Sequence, residues 1–164
     1  MIKDEIIIED INPHEDKRGI LWTLSQQEDY GDLKFNHDKV SVSTKNVLRG
    51  FHCDFKSWKL VTCLFGEIIL AVVNVDQSST NYLKSQKIPL SYMKPKKVLI
   101  PPSYANAHLC LSEECVFFYK WSYDGDYPDV NSQSSYKWDE PKFDIKWPIQ
   151  NPILSDRDHN SKYL

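Results

Sequence analysis

Several short stretches of the chain gather titratable or charged side chains beside apolar runs: DKRG (residues 16–19), NVLRGFHCD (46–54), WKLV (58–61), PPSYANAH (101–108), FYKW (118–121) and PILSDRD (152–158). His52 follows Gly50 at the start of a strand pattern, with Arg49 three residues before it. An imidazole titrates near neutrality and can act as a general base. A lone histidine in a β protein more often packs or faces water, so the neighbours are what single out His52. Arg49 carries the planar fork that grips a phosphate through two bonds, and Lys59 can aim a cation at a developing oxyanion.

Other chemistries fit poorly. A metal site of the three-imidazole type needs a second histidine close to His52, but the sequence there reads FHCDF, and His108 is the remaining imidazole on a good strand edge. No metal is expected. A serine hydrolase needs a GxSxG elbow, which is absent, and Ser103 lies between Pro102 and Tyr104. Neither GxxxxGK nor GxGxxG occurs, so neither ATP-dependent transfer nor a bound dinucleotide is expected, and no cofactor is implied. Among tyrosines that could stack on a base or sugar (Tyr82, Tyr92, Tyr104, Tyr119 and Tyr123), Tyr119 is the one expected to do more than pack.

The elements that must position these groups are strands. Proline and glycine punctuate β-branched and aromatic runs at residues 5–8, 39–42, 59–65, 67–75, 97–100 and 116–122, and one short helical stretch is expected near residues 26–30. Strands at regular spacing without alternating helices predict an all-β jelly roll or small barrel. Alternation then puts Lys59, Val61 and Cys63 on one face of their strand and Phe117, Tyr119 and Trp121 on one face of another. The chain is expected to form a single domain over residues 1–164, with a barrel at about 5–123. A C-terminal segment at about 124–164 should wrap back on the barrel to cover Trp138, Trp147 and Ile153.

Composition narrows the partners. The formal net charge is −3 and the basic residues are scattered, so no nucleic-acid footprint appears. Cys53, Cys63, Cys110 and Cys115 show no CxxC spacing and the N-terminus has no leader pattern, which predicts buried reduced thiols in a cytoplasmic protein. Apolar runs such as residues 68–73 have strand length, so no membrane span is expected.

Taken in order, the clusters resemble the dTDP-4-dehydrorhamnose 3,5-epimerase family over residues 16–158. DKRG resembles the family's DxRG, KNVLRGFH its KGVLRGLH, WKLVTCLFGEI its KLVxVxxGxV, IPPSYANAHLCLS its IPxGFAHGFxxLS, FFYKW its YK strand, and IKWPIQNPILSDRD its IxWPxxxPxLSxKD. The resemblance implies a cupin-type jelly roll that acts on a nucleotide sugar without metal or cofactor. It also implies a homodimer whose N-terminal strand crosses to the partner. It casts His52 as base, Asp158 as the carboxylate that orients it, Tyr119 as acid on the opposite face, and Lys59 as the cation at the C4 oxygen. Arg49 and the partner's Arg18 would hold phosphate. These roles suit removal of a proton beside a ketone, which needs a near-neutral base, a cation at the oxygen and a donor across the ring.

Some positions depart from the family pattern. Asn106 replaces the AHG histidine, with His108 two residues on; His37 and Lys39 stand where Gln and Asn are common; Cys53-Asp54 replaces an aromatic-Gln pair; and Asp76 stands where Arg is frequent. His37, Lys39, Asn106 and His108 are therefore expected among the substrate-binding residues. The PPxxxNxH stretch is similar to the branch acting on GDP-4-keto-heptoses. The expected substrate is therefore GDP-4-keto-heptose in capsular polysaccharide synthesis, inverted at C3 or at C3 and C5. The alternatives are a dTDP-4-keto-6-deoxyhexose 3,5-epimerase, a catalytically silent sugar-binding member of the fold, and a ketoisomerase, which would have no use for a tyrosine on the opposite face.

Overall fold

A computed structural model describes residues 5–123 and 133–164. In chain order the strands are β1 (Ile7–Asp10), β2 (His14–Asp16), β3 (Gly19–Leu21), β4 (His37–Thr44), β5 (Leu48–Cys53), β6 (Trp58–Phe65) and β7 (Glu67–Asn74), followed by β8 (Ser85–Ser91), β9 (Lys96–Ile100), β10 (Tyr104–Cys110), β11 (Glu114–Ser122) and β12 (Ser134–Ser135). A 3-10 turn at Gln27–Tyr30 and a short helix α1 (Asp156–His159) are also present. Two antiparallel sheets, in the orders β1-β9-β6-β11-β4 and β12-β5-β10-β7-β8, face each other, and β2 and β3 form a separate hairpin. This is the expected all-β jelly roll.

From β4 to β11 consecutive strands change sheets except β7 and β8, which pair within the second, and Gly66 makes the sharpest change, between β6 and β7. Its φ of +76 suits glycine, and a Cβ there would lie 2.3 Å from the Glu114 carbonyl oxygen. The β-branched and aromatic side chains that favour strands also fill the space between the sheets. Val61, Leu70, Val72, Ile88, Ile100 and Phe117 meet there in one buried cluster. Each sheet is then covered outside. Phe35, Leu33 and Tyr30 pack on Leu60 and Leu99 of the first, and Trp138, Phe143 and Trp147 pack on Phe51, Ala71 and Ala105 of the second.

The tail therefore wraps on the barrel, as its tryptophans predict, and Trp147 Nε1 donates to the Trp138 carbonyl at 2.9 Å. Residues 124–132, where the wrap was expected to begin, lie outside the described residues. Ile153 corrects the expectation of burial: it is 55% exposed. Its backbone makes the contact instead, donating to Asn46 at 2.9 Å and accepting from Leu48 at 3.0 Å.

Both β8 and β10 were missed in the sequence. β8 reads SQKIPLS and β10 reads YANAHLC, with proline, small and polar residues where β-branched ones signal a strand. Pairing with β7 on both sides imposes the extended form. All four cysteines are buried free thiols, as packing residues should be. Among the described residues no helix is long and apolar enough to cross a membrane.

Candidate active site

Alternation along the strands points a set of polar side chains into one end of the space between the sheets. There they line a pocket of about 280 Å³. β6 contributes Lys59, β11 Tyr119 and Trp121, β4 Lys39 and Ser41, β10 Asn106 and His108, β5 Arg49 and His52, and the α1 region Asp158.

Gly50 lets β5 pack tightly against β10. Its φ is +119 and a Cβ would lie 2.5 Å from the Asn106 carbonyl oxygen, so only glycine lets β5 approach β10 this closely. The register between these strands shifts past this point, pairing Asn106 with His52 but His108 with Arg49. Both Arg49 and His52 thereby reach the pocket.

The strongest polar contact joins His52 and Asp158, Nε2 to Oδ1, at 2.6 Å. Asp158 is held on three further sides: Gly50 N–H donates to its Oδ2 at 3.3 Å, its own N–H donates to Ser155 Oγ at 3.2 Å, and Ser161 Oγ donates to its carbonyl at 2.7 Å. Ser155 is the N-cap of α1, so the helix start delivers the carboxylate to the imidazole. Burial pushes the Asp158 carboxyl up, but the His52 bond and charge, the Gly50 N–H and Ser155 together hold it below the ordinary carboxylate range. His52 keeps 26% of its side chain exposed while Asp158 keeps 3%. Nδ1 of His52 is the ring nitrogen not engaged by Asp158.

Lys59 is buried, yet its Nζ donates to Asn106 Oδ1 at 2.9 Å and sits 4.9 Å from the centre of the Trp121 ring. Burial lowers its pKa, with Lys39 adding to the effect and Cys53 and Asp54 opposing it. Lys39 also lies over Trp121, at 5.3 Å, and burial lowers its pKa as well. Tyr119 comes from the sheet opposite His52, in the row of rings Phe117, Tyr119 and Trp121. Burial raises its phenol pKa, with Arg49 opposing, so the phenol stays protonated.

Arg49 donates through Nε to Ser43 Oγ at 2.9 Å and through a terminal nitrogen to the Val42 carbonyl at 3.4 Å, and its side chain is exposed at the rim. His108 is buried and its ring stacks on Phe117 at 4.2 Å. Burial first, then the charges of Arg49 and His52, press its pKa down to about 3, so it is neutral. Among the expected site residues, His37 and Arg18 do not line this pocket. His37 lies at the end of β4 with Nδ1 3.3 Å from Asn36 Oδ1, and Arg18 projects from the β2–β3 hairpin, bonded to Asp16 at 2.6 Å. Arg157, Ser41 and Ser155 line the pocket but were not singled out in the sequence. PILSDRD drew attention to Asp158, although its neighbour Arg157 carries a cation one residue away. Among the described residues no group of three His, Cys, Asp or Glu side chains is placed to hold a metal ion.

A base held by a carboxylate, a desolvated ammonium and a phenol on the facing wall can enolise a ketone and return its proton. Comparison with known proteins is consistent with that chemistry. The model of the dTDP-4-dehydrorhamnose 3,5-epimerase family matches residues 1–164. The dTDP-4-dehydrorhamnose 3,5-epimerase of Shigella flexneri is 31% identical over 155 residues, covering 90% of this chain and 84% of that protein. The enzyme of the same name from Methanothermobacter thermautotrophicus is 31% identical over 172 residues, covering 98% and 90%. The crystal structure of dTDP-6-deoxy-D-glucose-3,5-epimerase from Legionella pneumophila in complex with dTDP-4-keto-L-rhamnose superposes with a TM-score of 0.89. It is 29% identical and covers 99% of this chain and 89% of that one. All three are named for dTDP-linked sugars and none for a GDP-heptose.

Proposed function

Because the chain belongs to the dTDP-4-dehydrorhamnose 3,5-epimerase family and is a nucleotide-sugar epimerase, we propose that it inverts C3, C5 or both of a dTDP-linked 4-keto-6-deoxyhexose through an enolate. The observation that carries this reading is the convergence of His52 with Asp158, Lys59 and Tyr119 on one pocket from both sheets.

His52 Nδ1 takes the proton beside the carbonyl. Asp158 fixes the tautomer through Nε2 and balances the imidazolium that forms. Negative charge moves to the C4 oxygen, where Lys59 meets it. Asn106 occupies one of the three ammonium donors, leaving two for the oxygen. In a desolvated pocket that attraction is far stronger than in water. Tyr119 then delivers its proton to the opposite face of the carbanion-like carbon. Each role is filled by a side chain, so the reading calls for no cofactor. Arg49 holds the diphosphate, with Arg157 beside it and the partner's Arg18 completing the grip in a homodimer. The dimer is supported by β4, a sheet edge with outward Val40 60% exposed and Val42 54% exposed. The whole chain, residues 1–164, works as one domain, and its buried free thiols suit the cytoplasm.

A GDP-4-keto-heptose is the second reading. It is favoured by Asn106, which stands at the AHG histidine position and holds Lys59 directly. Incubation of the protein with dTDP-4-keto-6-deoxyglucose and with GDP-4-keto-heptose in D2O, followed by NMR of the ring positions, tests both. Deuterium at C3 or C5 of the first supports the proposal, and uptake confined to the second favours the heptose. No uptake from either would leave a silent sugar-binding member of the fold.

A further inference from the structure

Two polar atoms in the pocket do nothing for the reaction just described. Ser41 Oγ and His108 Nε2 are both shut off from water, and neither has a hydrogen-bond partner among the described residues. Both residues line the same pocket, Ser41 from β4 and His108 from β10, on opposite sheets. Phe117 joins them: it is the register partner of Ser41, and the His108 ring stacks on it at 4.2 Å with an interplanar angle of 29°. Both therefore neighbour the Phe117 ring, Ser41 as its register partner on the adjacent strand and His108 stacked on it from the facing sheet.

A buried polar atom without a partner carries its full desolvation penalty. A phenylalanine at position 108 could stack on Phe117 equally well, and an alanine at 41 would fill the same strand position. Two such penalties in one cavity point to a ligand that removes both. The reacting carbonyl is already served by Lys59, which is bonded to Asn106. Asn106 lies two residues from His108 along β10, a displacement of about 7 Å, so the two orphan atoms reach a different substituent of the same sugar. His108 is neutral and offers one N–H and one lone pair, and a serine hydroxyl likewise gives and takes. A sugar hydroxyl, which both gives and takes, can satisfy such a pair in either tautomer of His108, whereas a methyl or hydrogen leaves both groups unpaired.

Resting on the assignment of the pocket to a 4-keto sugar, we propose that Ser41 and His108 form a polar floor that binds a hydroxyl of the sugar and selects substrates by the hydroxyls they carry. The hydroxyl is either the one at C2 or one on the chain beyond C5, and the two are separable by substrate choice.

The test measures kcat/KM by deuterium uptake for nucleotide 4-keto sugars paired to differ in one group, 2-hydroxy against 2-deoxy and 6-hydroxy against 6-deoxy. The proteins compared are the unaltered chain, Ser41→Ala, His108→Phe and His108→Gln. The unaltered protein should prefer the hydroxylated member of one pair. Ser41→Ala and His108→Phe should each shrink that same preference about tenfold, chiefly through KM, the factor that one neutral hydrogen bond supplies. His108→Gln, which keeps a donor and an acceptor, should retain part of it, and it decides with Ser41→Ala if His108→Phe does not fold. An active unaltered protein that discriminates neither pair, or variants that lose the same factor on both members, overturns the polar floor alone. A protein inert toward every 4-keto sugar overturns the epimerase assignment and the floor with it.

Discussion

Replacing Asp158 by Asn should damage catalysis more than its near-identical shape suggests, and the hydrogen bonds around it say why. The carboxylate bridges two partners: Oδ1 meets His52 Nε2 at 2.6 Å, and Oδ2 accepts from Gly50 N–H at 3.3 Å. An asparagine has a single oxygen. The Gly50 N–H, buried and unable to find another acceptor, claims it, which turns the amide NH2 toward His52. Nε2 must then accept, so the ring proton moves to Nδ1, the nitrogen that should remove the substrate proton. The base is blocked by its own proton while the backbone is held, because Ser155 also accepts from the main-chain N–H of residue 158. The comparable exchange in a serine-protease triad, where the tautomer is also reversed, costs about 10⁴ in rate, and a loss of about 10³–10⁴ is expected here. The assay is single-turnover deuterium uptake at the inverted carbon, with far-UV circular dichroism and thermal midpoint as controls on folding. A folded Asp158→Asn protein within tenfold of normal turnover would refute the argument, showing that His52 does not work through this tautomer.

Further outcomes follow from the same geometry. Tyr119→Phe should keep measurable deuterium exchange at the carbon attacked by His52 while inverted product falls sharply; NMR of recovered substrate and product separates the two, and normal inversion would remove Tyr119 as the donor. Lys59→Met should lower kcat by about 10²–10³, the value of one oxyanion donor, so a rise in KM alone would make Lys59 a binding residue. His108 titrates at 6.5 when unperturbed and at about 3 when folded, so the unfolded chain binds the extra proton between those values. Its contribution to stability is complete above 6.5 and is lost as pH falls toward 3, at up to ~1.4 kcal/mol per pH unit. Urea unfolding between pH 7 and 4.5 should show a shallower decline for His108→Phe than for the unaltered chain, and equal slopes would contradict the burial argument. Exhaustive chelation should leave turnover unchanged; activity recovered only on adding a metal would overturn the side-chain mechanism.

The sequence exposes the face assignments better than the strand boundaries. Lys59 and Val61, like Phe117, Tyr119 and Trp121, do share the pocket, because a period of two survives any error in where a strand starts. The pairing of His52 with Asp158 across 106 positions is visible in the sequence through family resemblance alone, since no local spacing predicts which distant carboxylate a helix cap will deliver. Arg157 is hidden for a related reason: a cation on a one-turn tail helix looks solvated until that helix is seen lining the pocket. β10 is hard to read because two of its inward side chains, Asn106 and His108, are polar and line the pocket, so the pocket itself erases the strand signal.

That erasure follows a gradient along each strand. From the pocket toward the Gly66 end, β6 runs Lys59, Val61, Cys63 inward; β10 runs Asn106, His108, Cys110; and β11, in the opposite chain direction, runs Trp121, Tyr119, Phe117, Cys115. Past Tyr104, which is itself core, each strand thus gives the positions nearest the pocket to its lining and the last to the core, where Cys63, Cys110, Cys115 and Phe117 are buried together. A one-residue slip of any of these strands would trade its inward set for the outward one, burying the wrong groups and removing the site in the same step. Register is therefore held where the strands are most closely fitted. At Gly66 the Glu114 carbonyl leaves no room for a side chain, and at Gly50 the backbone of Asn106 and Ala107 leaves none. The second contact sits directly beneath His52 and its bond partner. The glycine that fixes the pairing of β5 with β10 is also the one whose N–H holds Asp158, so strand register and orientation of the base depend on the same backbone position.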